Sequence, residues 1–193
     1  RRMAVASAGA GVRHDGAGLL ALTPTDHETQ VTEAMNAPRD NLPETGAETY
    51  LFASPDSRHI GYFAGGKLFK IDASGGRPQA LCDVSENRGG SWNRDGVILF
   101  AGPEGLYRVS AQGGAPVLIT KVSPKEEAHR WPYFLPDGNH FIFLADAATT
   151  EDHHIRVGSL DSQETQILFG AISRVAYAPP AYLLYVNQGA LMV

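Results

Sequence analysis

A repeated hairpin pattern constrains the fold of this chain more than any other feature. In its clearest copy, residues 130–144, runs of aromatic and aliphatic residues flank the tripeptide Pro136-Asp137-Gly138. Proline presets one turn dihedral and glycine accepts a positive φ without a Cβ clash, so the pattern predicts two strands joined by a tight turn. Related patterns occupy residues 50–63 and 88–100, and a fourth begins at Arg174.

The spacing of the copies predicts the architecture. Their turn aspartates, Asp56, Asp95 and Asp137, are 39 and 42 residues apart, which is the period of four-stranded propeller blades. Glycine and proline are abundant, at 21 and 12 residues, as expected for short strands joined by tight turns. The sequence therefore predicts an all-β fold, a partial β-propeller of four-stranded antiparallel blades, with about three and a half to four blades in the chain.

Each copy is followed by further strand patterns that complete a blade. The predicted third strands are residues 67–72, 105–110 and 154–160. The resulting blades span residues 49–87, 88–128, 129–172 and, incompletely, 173–193. Residues 1–48 alternate only weakly and are interpreted as a degenerate or incomplete blade, with a disordered leader as the alternative.

Charge and cysteine content exclude several classes of protein. The net charge is −5 and the 16 basic residues are scattered, with Arg1 and Arg2 as the one adjacent pair, so nucleic acid is not an expected partner. Cys82 is the one cysteine, which excludes an internal disulfide and a cysteine zinc site and is typical of a small core residue. The longest apolar runs are too short to span a bilayer, so no membrane insertion by this segment is expected. The chain begins at Arg1 rather than methionine, as a piece of a longer protein would.

The turns carry a resemblance to a known family. The TolB-like β-propeller repeat has a Ser-Pro-Asp-Gly turn between the first two strands of each blade, and this chain resembles it at those turns. Residues 54–57 and 135–138 match well, residues 93–96 keep the Asp-Gly pair, and residues 178–181 have lost both. Residues 42–193 are most similar to the C-terminal propellers of bacterial membrane-anchored Ser/Thr protein kinases, although no kinase motif is present in the chain.

The resemblance implies a location and a partner. Because the propellers of such kinases lie at their extracytoplasmic end, an extracytoplasmic or periplasmic location is expected. Propellers of this family commonly close with six blades. A half ring exposes two sheet edges, so we expect two chains to self-associate into one larger ring.

Arginines recur at the start of the first strand of the later units. Arg88 and Arg130 each lie eight residues before a turn glycine, and Arg174 heads the fourth unit. First strands line the central channel of a propeller, so we expect the three guanidinium groups to meet at one channel mouth. Together they could bind a peptide, a protein or a small anionic ligand. The alternative is that each arginine pairs with a turn aspartate of a neighbouring blade as a structural tie.

Aromatic residues and a histidine accompany these arginines. Trp92 and Trp131 lie on the same first strands, and His129 precedes Arg130. If their side chains reached the mouth, all three would be ligand-binding residues. The two tryptophans could stack on a ligand, and His129 could titrate beside it. Packing between blades is the alternative, and we favour it for the tryptophans.

A polar cluster in the third unit is the candidate metal site. Asp146 and Glu151 lie in or beside a long loop that leads to Asp152, His153 and His154. Carboxylate and imidazole groups could bind a divalent metal and activate water, with the last three residues as candidate ligands. Adjacent residues of an extended chain point to opposite faces, so the two histidines do not easily share one ion, and a solvated loop is the alternative. No other cofactor is expected.

These features favour a non-catalytic module for ligand binding, protein binding or sensing that acts at its channel mouth. The arginines recur without a catalytic constellation around them. The alternative function is a metal-dependent hydrolase of esters or lactones built on the propeller, which a chelator would inactivate. A third interpretation is an incomplete gene product with no function of its own.

Overall fold

The computed structural model describes residues 12–14, 20–22, 50–187 and 189–193. Strands β1 (Val12–His14) and β2 (Leu20–Leu22) pair as a two-stranded antiparallel sheet. The rest of the predicted degenerate blade or leader at residues 1–48 lies outside the described residues. Within the described ranges, no helix is long and apolar enough to cross a membrane.

From residue 51 onward the chain forms four consecutive antiparallel sheets, which we call blades 1 to 4. Blade 1 consists of β3 (Leu51–Ala53), β4 (His59–Ala64), β5 (Lys67–Asp72) and β6 (Gln79–Asp83). Blade 2 consists of β7 (Gly90–Trp92), β8 (Val97–Gly102), β9 (Gly105–Ser110) and β10 (Val117–Leu118). Blade 3 consists of β11 (Ala128–Phe134), β12 (His140–Asp146), β13 (His154–Ser159) and β14 (Ser162–Gly170), with a short 3-10 helix at Thr150–Asp152. Blade 4 consists of β15 (Ala176–Ala178), β16 (Tyr182–Asn187) and β17 (Ala190–Met192).

Strand order in each sheet follows chain order, so every connection within a blade is a hairpin. This up-and-down arrangement confirms the predicted all-β partial propeller. The predicted third strands also form, as β5, β9 and β13.

In blades 1 and 3 the turn aspartate accepts hydrogen bonds within its own turn, whereas in blade 2 Asn93 takes this role. In blade 3, the backbone N–H groups of Asn139 and His140 donate to Asp137 Oδ1 at 3.0 and 2.9 Å. Gly138 has a φ of 77°, the left-handed conformation that the pattern predicts for glycine. Ser57 takes the equivalent place in blade 1 with a φ of 62°, so a β-hairpin forms there without the glycine.

Apolar cores fill the spaces between consecutive blades, because the side chains of a strand alternate between its two neighbours. In β8, Ile98 and Phe100 pack toward blade 1, whereas Leu99 and Ala101 pack toward blade 3. The same alternation in β12 divides its residues between blades 2 and 4. The core between blades 3 and 4 contains Ile142, Leu144, Ile155, Ala171 and Val175, with Leu183 and Tyr185 packed against it.

First strands are innermost in the array. β3 contacts β7, and β7 contacts β11, although each belongs to a different blade. The ring of Phe52 in β3 fills the space beside two glycines, so that a Cβ on Gly61 or Gly90 would lie 2.3 or 2.5 Å from it. This close approach brings β3 and β7 together.

Antiparallel order also sorts the loops onto two faces of the array. The tight turns that contain Asp56, Asp95 and Asp137 share one face, which we call the turn face. The opposite face, which we call the mouth face, carries the connections between blades and the loops between second and third strands. The candidate arginines and the long loop 147–153 therefore share the mouth face.

Candidate functional site

Arg130 is held at the mouth face by a carboxylate of its own blade. Residue Ala128 at the start of β11 pairs in register with Asp146 at the end of β12. Arg130 follows two residues later on the same strand, and its Nε lies 2.5 Å from Asp146 Oδ2. The carboxylate of Asp146 is largely buried, whereas the side chain of Arg130 is about one third exposed. The ion pair therefore fixes a guanidinium group that solvent still reaches.

His153 binds the other oxygen of the same carboxylate. Its Nε2 lies 3.1 Å from Asp146 Oδ1 and 2.8 Å from the carbonyl oxygen of Ala147. Both neighbours are acceptors, so Nε2 carries the hydrogen. Asp146 thus bridges Arg130 and His153 and closes the base of the long loop against β11.

The other two arginines lie on the same face in different surroundings. Arg88 precedes β7, and its Nη2 lies 2.9 Å from Glu86 Oε2. Arg174 is exposed and forms no ion pair with the described part of the chain. Its electrostatic neighbours are Tyr133 in β11 and Tyr50 before β3, which places it near the inner strands.

Arg88 and Arg130, the two arginines that form ion pairs, do not bind a turn aspartate. The alternative in which these arginines pair with the turn aspartate of a neighbouring blade is therefore wrong. The partners of Arg88 and Arg130 are Glu86 and Asp146, both on the mouth face. The turn aspartates lie on the opposite face. Asp137, for example, binds within its own turn: its Oδ1 accepts the His140 N–H, and its Oδ2 lies 2.5 Å from the ring nitrogen Nδ1 of His140.

Trp131 has a strained backbone at the centre of this region. Its φ of 51° is left-handed, in a strand whose register shifts between Arg130 and Tyr133. Such a conformation costs a bulky residue about 1 to 3 kcal/mol. The Trp131 N–H donates to the Arg88 carbonyl oxygen at 2.9 Å, and a Cβ on Gly89 would lie 3.2 Å from Trp131 Cα. The bulge therefore joins the inner strands of blades 2 and 3.

The side chains of both tryptophans take part in packing between blades. Trp131 packs against the core between blades 3 and 4. Trp92 packs against the core between blades 1 and 2, with its ring 5.9 Å from the His59 ring. Since Trp92 ends β7 beside the turn face, it does not join Arg88 at the mouth.

His129 is buried, with 2% of its surface exposed, in a network that links blades 2 and 3. Thr120 Oγ1 accepts the Leu106 N–H at 3.0 Å and lies 2.7 Å from His129 Nδ1. Because Nε2 of the neutral ring carries the hydrogen toward Glu126, Nδ1 accepts from the Thr120 hydroxyl. His129 Nε2 lies 3.2 Å from Glu126 Oε2 and donates to it. Burial lowers the pKa of His129, although Glu126 opposes this shift. A neutral buried histidine is not available to a ligand at the mouth, so we leave it out of the site.

Glu126 is the hub of that network, and the sequence analysis missed it. Its carboxylate accepts the Ser123 N–H at 2.9 Å and pairs with Arg156 of β13. Burial favours its neutral form, but the hydrogen bonds from Ser123 and His129 outweigh burial and lower the pKa of Glu126. The Ser123-x-x-Glu126 spacing, a reciprocal-capping pattern, was the available signal.

The predicted metal ligands make separate contacts. Asp152 Oδ2 accepts the Thr149 hydroxyl at 2.6 Å, and His154 Nδ1 lies 2.7 Å from the Asp152 carbonyl oxygen. His153 binds Asp146 instead. In the parts of the chain that the structure describes, no three His, Cys, Asp or Glu side chains are grouped closely enough to hold a metal ion.

Cys82 is half-buried in β6. Burial, with a smaller contribution from Asp83, raises the pKa of its thiol to about 11. A thiol in this environment stays protonated at neutral pH, as a structural cysteine does.

Solved structures share this fold. Neither a protein-family model nor a curated protein matches the chain. A protein assigned as TolB from Agrobacterium tumefaciens is similar over 74% of this chain and 55% of its own, with 18% identity and a TM-score of 0.57. TolB from Acinetobacter baumannii is similar over 74% and 38%, with 13% identity and a TM-score of 0.59. A gluconolactonase from Xanthomonas campestris is similar over 77% and 56%, with 14% identity and a TM-score of 0.61.

At such low identity the likeness shows the fold alone. The chain has the fold of TolB-like β-propellers and spans about half, or less, of the length of these structures. The finer resemblance to the propellers of membrane-anchored kinases stays a prediction.

Proposed function

We propose that this propeller segment is a non-catalytic binding module that holds carboxylate-bearing ligands at its mouth face. The ligand class covers acidic peptides, acidic segments of proteins and small carboxylates. By its resemblance to kinase propellers, such a module would act as a sensor in an extracytoplasmic or periplasmic compartment.

The observation that carries this proposal is the oriented, part-exposed guanidinium of Arg130. Asp146 holds its Nε, and the described residues offer no hydrogen-bond partner to its two Nη groups. Those groups are the pair that guanidinium uses to bind a carboxylate in a two-pronged geometry. Arg88 and Arg174 lie on the same face and add positive charge around it.

A labelled hexaglutamate peptide is the probe for this proposal, with hexaserine as its uncharged control. Fluorescence anisotropy should show saturable binding of hexaglutamate by the full chain. Arg130→Gln should weaken it about tenfold or more, because a charge-assisted bond contributes about 1.5 to 3 kcal/mol. Competition with citrate distinguishes a site for small carboxylates from a site for extended acidic peptides. Citrate at low concentration should displace hexaglutamate from the first kind of site but not from the second.

Arg77→Gln is the matched control variant. Arg77 is an exposed arginine between β5 and β6, on the turn face. Its removal changes the net charge of the chain by the same amount without touching the mouth, so binding should be unchanged. Equal loss in the two variants, or binding of hexaserine as tight as hexaglutamate, contradicts the proposal.

A metal-dependent hydrolase is the alternative proposal, and the Asp146–His153 pair is the observation that favours it. A carboxylate and an imidazole that meet at the base of one loop supply two ligands of the kind that a divalent metal site needs. The gluconolactonase that shares the fold makes lactones a reasonable first substrate class. Lactone hydrolysis that is lost in a chelator and restored by a divalent metal would support it; no hydrolysis with added metal would exclude it.

A further inference from the structure

We propose that the Asp95-Gly96 unit on the turn face is a modification site, at which isoaspartate forms without an enzyme. The backbone nitrogen of Gly96 attacks Cγ of the protonated Asp95 side chain. The new C–N bond closes a succinimide ring, and the carboxyl hydroxyl leaves as water with the amide hydrogen. Water then opens the ring at the backbone carbonyl, which gives isoaspartate, an isomer that lengthens the main chain by a CH2 group. The reaction consumes no other reactant.

The sequence alone does not distinguish this unit from its counterpart in blade 3. Asp95-Gly96 and Asp137-Gly138 occupy equivalent turns, and blade 1 has Ser57 in place of the glycine. Glycine has no Cβ to obstruct ring closure, so both pairs are chemically susceptible. A further Asp-Gly pair, residues 15–16, lies outside the described residues. The difference between the two described pairs comes from what each carboxylate binds.

The Asp137 carboxylate is tethered within its turn. Its Oδ1 accepts the N–H groups of Asn139 and His140 at 3.0 and 2.9 Å, and its Oδ2 faces the His140 ring. Rotation of the carboxyl group toward the Gly138 nitrogen would break these contacts. Burial favours the neutral form, but the hydrogen bonds from His140 and Asn139 outweigh burial and lower the pKa of Asp137. The protonated carboxyl group that the reaction needs is therefore rare at this turn.

The turn of blade 2 is shorter, and this removes the tether. Its closing hydrogen bond joins Asn93 to Val97, whereas the bonds of the other two turns join residues one position further apart. The Val97 N–H, which corresponds to the Asn139 N–H, donates to Asn93 Oδ1 at 2.8 Å. The described residues offer no hydrogen bond or ion pair to the Asp95 carboxylate, and Asp95 is exposed. Its carboxyl group can therefore turn toward Gly96.

The attacking nitrogen is also held less firmly in blade 2. The Gly96 N–H donates to the Asn93 carbonyl oxygen at 3.3 Å, whereas the Gly138 N–H donates to the Leu135 carbonyl oxygen at 2.9 Å. The longer hydrogen bond is the weaker one. Both reacting groups of the Asp95-Gly96 unit are thus freer to meet than those of the blade 3 turn.

Isoaspartate at this turn would disturb the contact between blades 2 and 3. Asn93 Nδ2 donates to the Gly138 carbonyl oxygen at 2.7 Å, in a buried position. On the other side of Asp95, the Ala111 N–H donates to the Gly96 carbonyl oxygen at 2.8 Å. A CH2 group added to the main chain between these two hydrogen bonds would shift one relative to the other, so the modified chain should be less stable.

Peptide mapping of the aged full chain tests the proposal. The chain is kept at physiological temperature and neutral pH for several weeks and digested with chymotrypsin, and electron-transfer fragmentation then distinguishes isoaspartate from aspartate. Residue 95 should contain severalfold more isoaspartate than residue 137. In guanidinium chloride the two residues should isomerise to similar extents, because unfolding removes the tether. No isoaspartate at residue 95, at least as much at residue 137, or the same ratio in denaturant overturns the proposal.

Two variants at exposed or half-exposed residues test its physical basis. His140→Ala removes one partner of Asp137 and should raise isoaspartate at residue 137 while leaving residue 95 unchanged; an unchanged amount at residue 137 contradicts the role of the tether. Asp95→Glu should abolish the modification at its position, because the longer side chain closes a larger ring far more slowly. Ageing should lower the thermal midpoint of the wild type but not of Asp95→Glu, and an unchanged midpoint in an isomerised wild type overturns the structural consequence.

Discussion

Replacing Gly90 with alanine tests whether the blades pack as described. The new Cβ would lie 2.5 Å from Phe52 Cε1 and 3.0 Å from two further ring atoms. Ordinary carbon contacts begin near 3.5 Å, so the ring or the inner strands must move by about 1 Å. Phe52 is held between blades 1 and 2, which leaves the ring little room.

Overpacking of this kind costs about 1 to 3 kcal/mol. At about 2 to 4 °C per kcal/mol for a chain of this size, the thermal midpoint should fall by roughly 4 to 8 °C for a loss near 2 kcal/mol. Urea unfolding followed by tryptophan fluorescence measures the free energy of unfolding directly. Gly170→Ala is the control, because Gly170 is also a strand residue and the added Cβ would meet only the His153 carbonyl oxygen, 3.7 Å away.

Phe52→Leu provides the second half of a double-mutant cycle. If the ring causes the clash, the smaller side chain should relieve it, and the double variant should be more stable than the sum of the single effects predicts. The reasoning is refuted if Gly90→Ala is no more destabilising than Gly170→Ala, or if the two substitutions are additive.

Three further predictions concern stability. Folded His129 has a pKa below its usual 6.5, so the unfolded chain binds a proton that the folded chain does not. The free energy of unfolding should therefore fall as the pH drops through 6.5. Urea titrations at pH 7.5 and 5.5 should show a smaller difference in this free energy for His129→Gln than for the wild type. Glu126, whose pKa is also lowered, adds a second loss below its usual 4.5, and Glu126→Gln should reduce the dependence in that range. Ser57→Gly should stabilise the chain by about 0.5 to 1 kcal/mol, because Ser57 has a left-handed φ of 62°; a lower midpoint than wild type would show that the serine side chain matters more than the backbone.

The hairpins could be predicted because their signals are local. Alternating apolar residues, a turn aspartate and a turn glycine lie within about ten residues of one another, and each part favours the same structure. Even the turn with Ser57 in place of glycine forms, since the strands on either side of it fix the register. The fourth turn has lost the Asp-Gly pair, yet β15 and β16 still pair across it.

The candidate site was less predictable because its partners are chosen by register and by a bulge. Sequence spacing placed Arg130 at the start of an inner strand, but the pairing of β11 with β12 selects Asp146 as its partner. The left-handed Trp131 interrupts the alternation of β11, so a simple alternation could not assign the sides of its neighbours. His129 and Arg156 meet through Glu126, which is separated from Arg156 by 30 residues, and no local pattern specifies such a contact.

The most direct test of the proposed binding site observes the guanidinium groups themselves. In a ¹⁵N-resolved NMR titration with hexaglutamate, the Nε–H signal of Arg130 and the backbone amides of Arg88 and Trp131 should shift together and saturate. The Nε–H signal of Arg77, on the turn face, should stay in place. Shifts that are equal at Arg77 and Arg130, or no saturable shift at Arg130, would contradict a carboxylate site at the mouth face.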